Sequence, residues 1–139
     1  MTPLSAPIVS AATAGVLIII QMLLLFAVVV VRRRDKQSLG DGGNADLLRA
    51  TRRHGNFAEN AAIFLVALAL FEIVSGERMT TEIYAGIFIA GRLLHVIGLS
   101  MRNTTNLARV VGVVATAGVS IVLGVRLIML CLPLLQAGL

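Results

Sequence analysis

The side chains best equipped for chemistry fall into three clusters, each tied to a different apolar run. Arg49, Arg52, Arg53, Asn56 and Glu59 lead into the run 61–74, Arg92 and His95 lie inside 83–99, and Arg109 opens 110–132. Ionisable groups are costly in lipid, so such residues are normally paired, wetted or functional. Arginine offers a planar fork for carboxylates, asparagine both a donor and an acceptor, and glutamate an acceptor for an ammonium. At about 100° per residue, Arg49, Arg52, Arg53, Asn56 and Asn60 share one helical stripe, with Glu59 at its edge and His54 pointing elsewhere. This donor set suits an anionic, peptide-like ligand. The alternative is that Glu59 pairs with Arg92 only to hold helices together. His95 reads as a proton donor, a ligand-binding imidazole or a satisfied core histidine. No metal is expected, because His54 and His95 would need carboxylate help and neither an HxxxH nor an HxxE spacing occurs.

The chain that must position these groups has 139 residues, of which 58% are hydrophobic, and a mean hydropathy of +0.93. Those values exclude an ordinary soluble domain and leave a small polytopic membrane protein. The expected architecture is all-α and integral to the membrane. It is a single domain over 1–139, a four-transmembrane-helix antiparallel bundle with helices at about 8–31, 45–74, 80–100 and 107–132. The first run is interrupted by Gln21 and leads straight into Arg32, Arg33 and Arg34. With no basic segment before it, it reads as a retained stop-transfer anchor and not as a cleaved signal. Short polar or glycine-bearing stretches at 37–43, 75–76 and 103–106 separate the spans.

Basic residues gather on the cytoplasmic side of membrane proteins. The first loop and its flanks hold Arg32, Arg33, Arg34, Lys36, Arg49, Arg52 and Arg53, and the third holds Arg102 and Arg109, whereas the second holds only Arg78. Both termini are therefore expected outside, and all three clusters fall at one depth in the inner leaflet. The net charge of +5 reads as a topological and membrane-facing signal. Nucleic-acid binding is not expected, since the basic residues are not interleaved with aromatic ones. Cys131 is the only cysteine, which excludes an intrachain disulfide. Glu72, near the outer end of the second span, and Arg126, near that of the fourth, read as interfacial charges. On the fourth span Ala108, Gly112, Thr116, Ser120 and Gly124 recur every four residues, a seam suited to close helix packing in this chain or against a neighbour.

Residues 49–60, RATRRHGNFAEN, and 91–95, GRLLH, together with Arg109, resemble the membrane-associated proteins of eicosanoid and glutathione metabolism, the MAPEG family, in its bacterial-type, microsomal glutathione transferase-like branch. The resemblance covers all four spans in order. It implies a homotrimer in a bacterial inner membrane, with glutathione held at the subunit interface and a lipophilic small molecule arriving from the bilayer. Asn56 and Glu59 would then hold the glutathione peptide, Arg52 and Arg92 would belong to the same polar cluster, and His95 would lie beside the ligand. Arg109 would be the catalytic residue that favours the thiolate, and one of Arg32, Arg33 or Arg34 would cover a glutathione carboxylate.

The leading expectation is thus a glutathione-dependent transferase or peroxidase acting on lipophilic electrophiles or lipid hydroperoxides. The chain departs from the family pattern at Gly55, Leu99 and Val110. Those positions favour the alternative of a non-catalytic lipid-binding or lipid-presenting protein of the same fold. A transporter is a third class, opposed by a polar layer that reaches only one leaflet.

Overall fold

A computed structural model describes residues 6–101, 106–136 and 138. It contains four long helices: α1 Ile8–Arg34, α2 Ala45–Ser75, α3 Arg78–Ser100 and α4 Leu107–Gln136. Each is long and apolar enough to cross a membrane. Arg102 and residues 103–105 of the third connection lie outside the described residues.

Local chemistry sets the helix ends. The Asn44 side chain accepts from the Asp46 and Leu47 backbone N–H groups at 2.9 and 3.2 Å, capping α2. Gly76, at φ 67°, ends that helix in the left-handed conformation that glycine adopts without strain. The Asn106 side chain accepts from the Arg109 N–H at 2.9 Å at the head of α4. α1 runs three residues further than its apolar stretch suggests, because Arg32, Arg33 and Arg34 suit the negative end of its macrodipole.

α2 packs against the other three helices, whereas α1 and α4 do not meet among the described residues. Phe64 and Phe88 stack with ring centroids 3.7 Å apart, and Phe71 meets Tyr84 at 5.5 Å. These join α2 to α3 in a core that also includes Leu17, Phe57, Leu68, Val119 and Leu123. In lipid, association of this kind rests on close packing, since the hydrophobic effect does not act between apolar helices.

The tightest contact is α3 on α4. A Cβ on Gly98 would come within 2.6 Å of the Arg109 nitrogen, and one on Gly112 within 2.6 Å of the Gly91 carbonyl oxygen and the His95 nitrogen. Only glycine fits there, and the register of His95 against α4 is fixed by it. Gly112 and Thr116 therefore use the small-residue seam within the chain, while a Cβ on Gly124 would meet nothing within 4 Å.

Candidate functional site

α2 and α3 run antiparallel, with Arg53 level with Ser100 through a 2.8 Å hydrogen bond from Arg53 Nη1 to Ser100 Oγ. At about 1.5 Å per residue, Glu59 lies about 9 Å along the helix from that level. Arg92 and His95 approach the same depth from the end of α3. Both are buried, 3% and 5% exposed.

Arg92 Nη2 donates to the Asn56 backbone carbonyl at 2.8 Å. Its Nε is buried with no hydrogen-bond partner among the described residues, and the same holds for His95 Nδ1. The imidazole hydrogen-bonds the Arg109 backbone, and the cationic Arg92 and Arg109 both act on it electrostatically. Buried polar atoms are nearly always hydrogen-bonded, so these two atoms, one helical turn apart, hold hydrogen-bonding capacity that no described residue uses.

The side chains on α2 are more open. Arg52 and Glu59 are exposed, and Asn56 and Asn60 are half-buried. Asn56 Nδ2 donates to the Arg52 carbonyl at 2.8 Å and Asn60 Nδ2 to the Asn56 carbonyl at 3.0 Å. The amide oxygens stay available. Glu59 and Arg92 attract one another without forming a contact ion pair among the described residues. The reading in which a closed Glu59–Arg92 bridge fastens the helices does not describe this geometry. Arg109 is exposed in the first turn of α4. The structure brings Asn56, Arg92, His95 and the Arg109 backbone together, and leaves Arg52 and Glu59 on the outer rim.

Two polar features escaped the sequence reading. His54 Nε2 sits 2.7 Å from Gln21 Nε2, tying α2 to α1; the lone strongly polar residue inside the first apolar run was the signal for it. Arg49 and Arg53 do not join Arg52 and Asn56 in one ligand face, but turn toward Ser100 and the end of α1.

One expectation is corrected. Glu72 is not an interfacial charge: it is 3% exposed, and its carboxylate accepts from Val9 N–H at 2.9 Å, Ser10 N–H at 2.8 Å and Ser10 Oγ at 2.6 Å. An anion at the start of α1 meets both its unpaired N–H groups and the positive end of its dipole. Position along α2 gave the depth of Glu72 but not its direction, which the buried Leu68 one turn earlier discloses. Arg126 pairs with Glu77 at 2.8 Å, fastening α4 to the start of α3.

Comparison with known proteins identifies a family and two relatives. A model of the MAPEG family matches residues 10–129. The inner membrane protein YecN of Escherichia coli, from strain K12 and from O6:H1 strain CFT073, is 35% identical over 65 residues. That stretch covers 47% of this chain and 50% of the relative, so the chain spans about half the length of the curated relatives it matches. No solved structure matches.

Proposed function

The chain belongs to the MAPEG family, and is thereby an integral membrane protein of the glutathione and eicosanoid metabolism type; on that premise we propose that it is a glutathione-dependent transferase or peroxidase for lipophilic electrophiles or lipid hydroperoxides. The observation that carries this reading is the pair of buried, unpartnered nitrogens, Arg92 Nε and His95 Nδ1, beside the half-open Asn56. They supply donor and acceptor capacity that the protein itself does not use.

In this reading Asn56 and Glu59 grip the peptide, with Glu59 taking the ammonium and Arg52 and Arg92 taking carboxylate oxygens. His95 lies beside the ligand. Arg109 favours the thiolate, because a nearby cation stabilises the charged form of a thiol. The thiolate then attacks an electrophilic carbon, forming a thioether as the leaving group departs with the electron pair. With a hydroperoxide, two glutathione molecules are oxidised to the disulfide while the substrate is reduced to alcohol and water.

Exposed Glu59 and Arg52 on a membrane helix argue for cover by protein or by water. A homotrimer with the site at the subunit interface would provide it, and native mass spectrometry in mild detergent should show three chains. A monomer or dimer across several detergents would remove the interface. The orientation proposed is termini outside and the Arg92 layer in the cytoplasmic leaflet of a bacterial inner membrane, testable by cysteine labelling at Ser38 in intact cells.

The test of function is turnover of a lipophilic model electrophile by purified protein with glutathione, followed with thiolate absorbance. Dependence on glutathione that is lost in Arg109→Ala supports the enzyme. Binding of lipid without turnover would favour the non-catalytic lipid-presenting reading that Gly55, Leu99 and Val110 raise.

A further inference from the structure

A polar cavity of about 320 Å³ lies where α1 and α3 end and α2 begins, lined by Val31, Arg34, Asp46, Arg49, Arg53 and Ser100. Arg34 is the last residue of α1, Ser100 the last of α3 and Asp46 the second of α2. On α2 the lining residues 46, 49 and 53 recur at helical spacing on a side different from Arg52 and Glu59. The volume is at the small end of the range of about 300 to 1,000 Å³ typical of small-molecule sites.

Its electrostatics are unbalanced. Three guanidinium groups face one carboxylate. Asp46 is held by Arg49 Nη2 at 2.7 Å and approached by Arg34 Nη2 at 3.6 Å, and Arg34 is also engaged by Asp35 at 2.8 Å. Arg53 has no acidic partner among the described residues. Its Nη1 donates to the neutral Ser100 hydroxyl, whose own proton goes to the Val96 carbonyl at 2.8 Å. Arg53 Nε is buried without a hydrogen-bond partner. With Asp35 counted against Arg34, one positive charge is left over, carried by a guanidinium with an unused donor.

We propose that this niche binds a phosphate group, with Arg53 as its principal donor and Arg49 and Arg34 flanking it. Several phosphate oxygens can be shared among planar guanidinium forks, whereas the carboxylate role is already filled by Asp46. The niche sits at the ends of helices, where a membrane protein meets lipid headgroups, and basic side chains at that level attract anionic lipid. Two sources share this chemistry, the headgroup of an anionic phospholipid and free inorganic phosphate. The niche is separate from the Arg92 and His95 site, and its occupancy is read without any turnover.

The experiment is native mass spectrometry of the full chain in detergent with phosphatidylglycerol or phosphatidylcholine, beside calorimetric titration of inorganic phosphate. Phosphatidylglycerol should be retained over phosphatidylcholine, and Arg53→Gln and Arg49→Gln should each weaken that preference about fivefold. Lys36→Gln, the same charge change in the adjacent loop, should leave it intact. Saturable inorganic phosphate binding with the same arginine dependence, and no headgroup preference, would support the site with free phosphate as the source. Equal losses in Lys36→Gln and Arg53→Gln would reduce the effect to general surface charge and overturn the proposal. So would arginine-independent binding of both probes, or displacement of phosphatidylglycerol by glutathione, which would give the niche to the peptide. Unfolding midpoints for both arginine variants guard against misfolding, each variant checking the other.

Discussion

Buried ionisable residues occur at both ends of the bundle, and they are treated in opposite ways. At one end Glu72 is almost fully enclosed, and its carboxylate accepts three hydrogen bonds from the first turn of α1. At the other end Arg92 and His95 are as deeply enclosed, yet Arg92 Nε and His95 Nδ1 find no partner among the described residues. A buried group with every polar atom satisfied fastens helices, while a buried atom left without a hydrogen bond, as Arg92 Nε and His95 Nδ1 are, costs free energy that a ligand can recover. The two ends are equally buried and differ in how fully their polar atoms are partnered.

The strongest break between the two ends is expected in turnover. Arg109→Ala should lower glutathione-dependent turnover by about 10²- to 10³-fold, the usual cost of losing a group that stabilises developing or reacting charge. Glutathione affinity should change far less, so steady-state kinetics beside a binding titration would expose the split.

Next in size is stability. Glu72→Ala strands N–H groups of α1 in a buried setting and should cost about 3 kcal/mol, seen as a lower unfolding midpoint in detergent. Glutathione affinity of the folded fraction should be unchanged. Arg92→Met should show the reverse, less than about 1 kcal/mol in stability with most ligand binding lost, because it removes a buried orphan as well as one hydrogen bond.

A smaller effect is expected on the open face of α2. Asn56→Ala or Glu59→Ala should weaken glutathione binding about tenfold while turnover at saturation stays near that of the unmodified protein. Equal losses in both parameters would place these residues in the reacting geometry instead of in the grip on the peptide.

The least effect concerns the connection between α1 and α2, which serves neither end directly. The Arg34 guanidinium bonded to Asp35 holds that carboxyl below the usual carboxylate range, with help from Asn44 Nδ2. A depressed value means the contribution is present above the ordinary range and is lost as pH falls through the depressed one. Hydrogen-exchange protection of residues 37–43, taken relative to the intrinsic amide rate at each pH, should therefore fall only under strongly acidic conditions. Loss of that protection near neutral pH would mean that the loop is held by other groups.

The helices were legible in the sequence because apolar runs of spanning length leave a chain few alternatives. The shared layer of Asn56, Glu59, Arg92, His95 and Arg109 was legible for a related reason, since antiparallel spans convert position along the chain into depth. What spacing could not give was rotation about each helix axis and choice of partner. Glu72 meets Ser10 and Arg53 meets Ser100 across long separations in sequence, and those pairings follow from how the α2 face is shared between α1 and α3. The division of one arginine stripe into a rim around Arg52 and a niche around Arg53 has the same cause. Glycines 91, 98 and 112 show the limit from the other side: the four-residue spacing on α4 announced close packing, but only the α3 backbone identifies what it packs against.

The most direct test of the account is calorimetric titration of glutathione into the purified protein and into Arg92→Met, with unfolding midpoints for both. Saturable binding to the unmodified protein, lost in the variant while the midpoint barely moves, is the predicted result. Absence of saturable binding to the unmodified protein, or undiminished binding to Arg92→Met, would contradict the claim that the orphaned nitrogens of α3 mark the glutathione site.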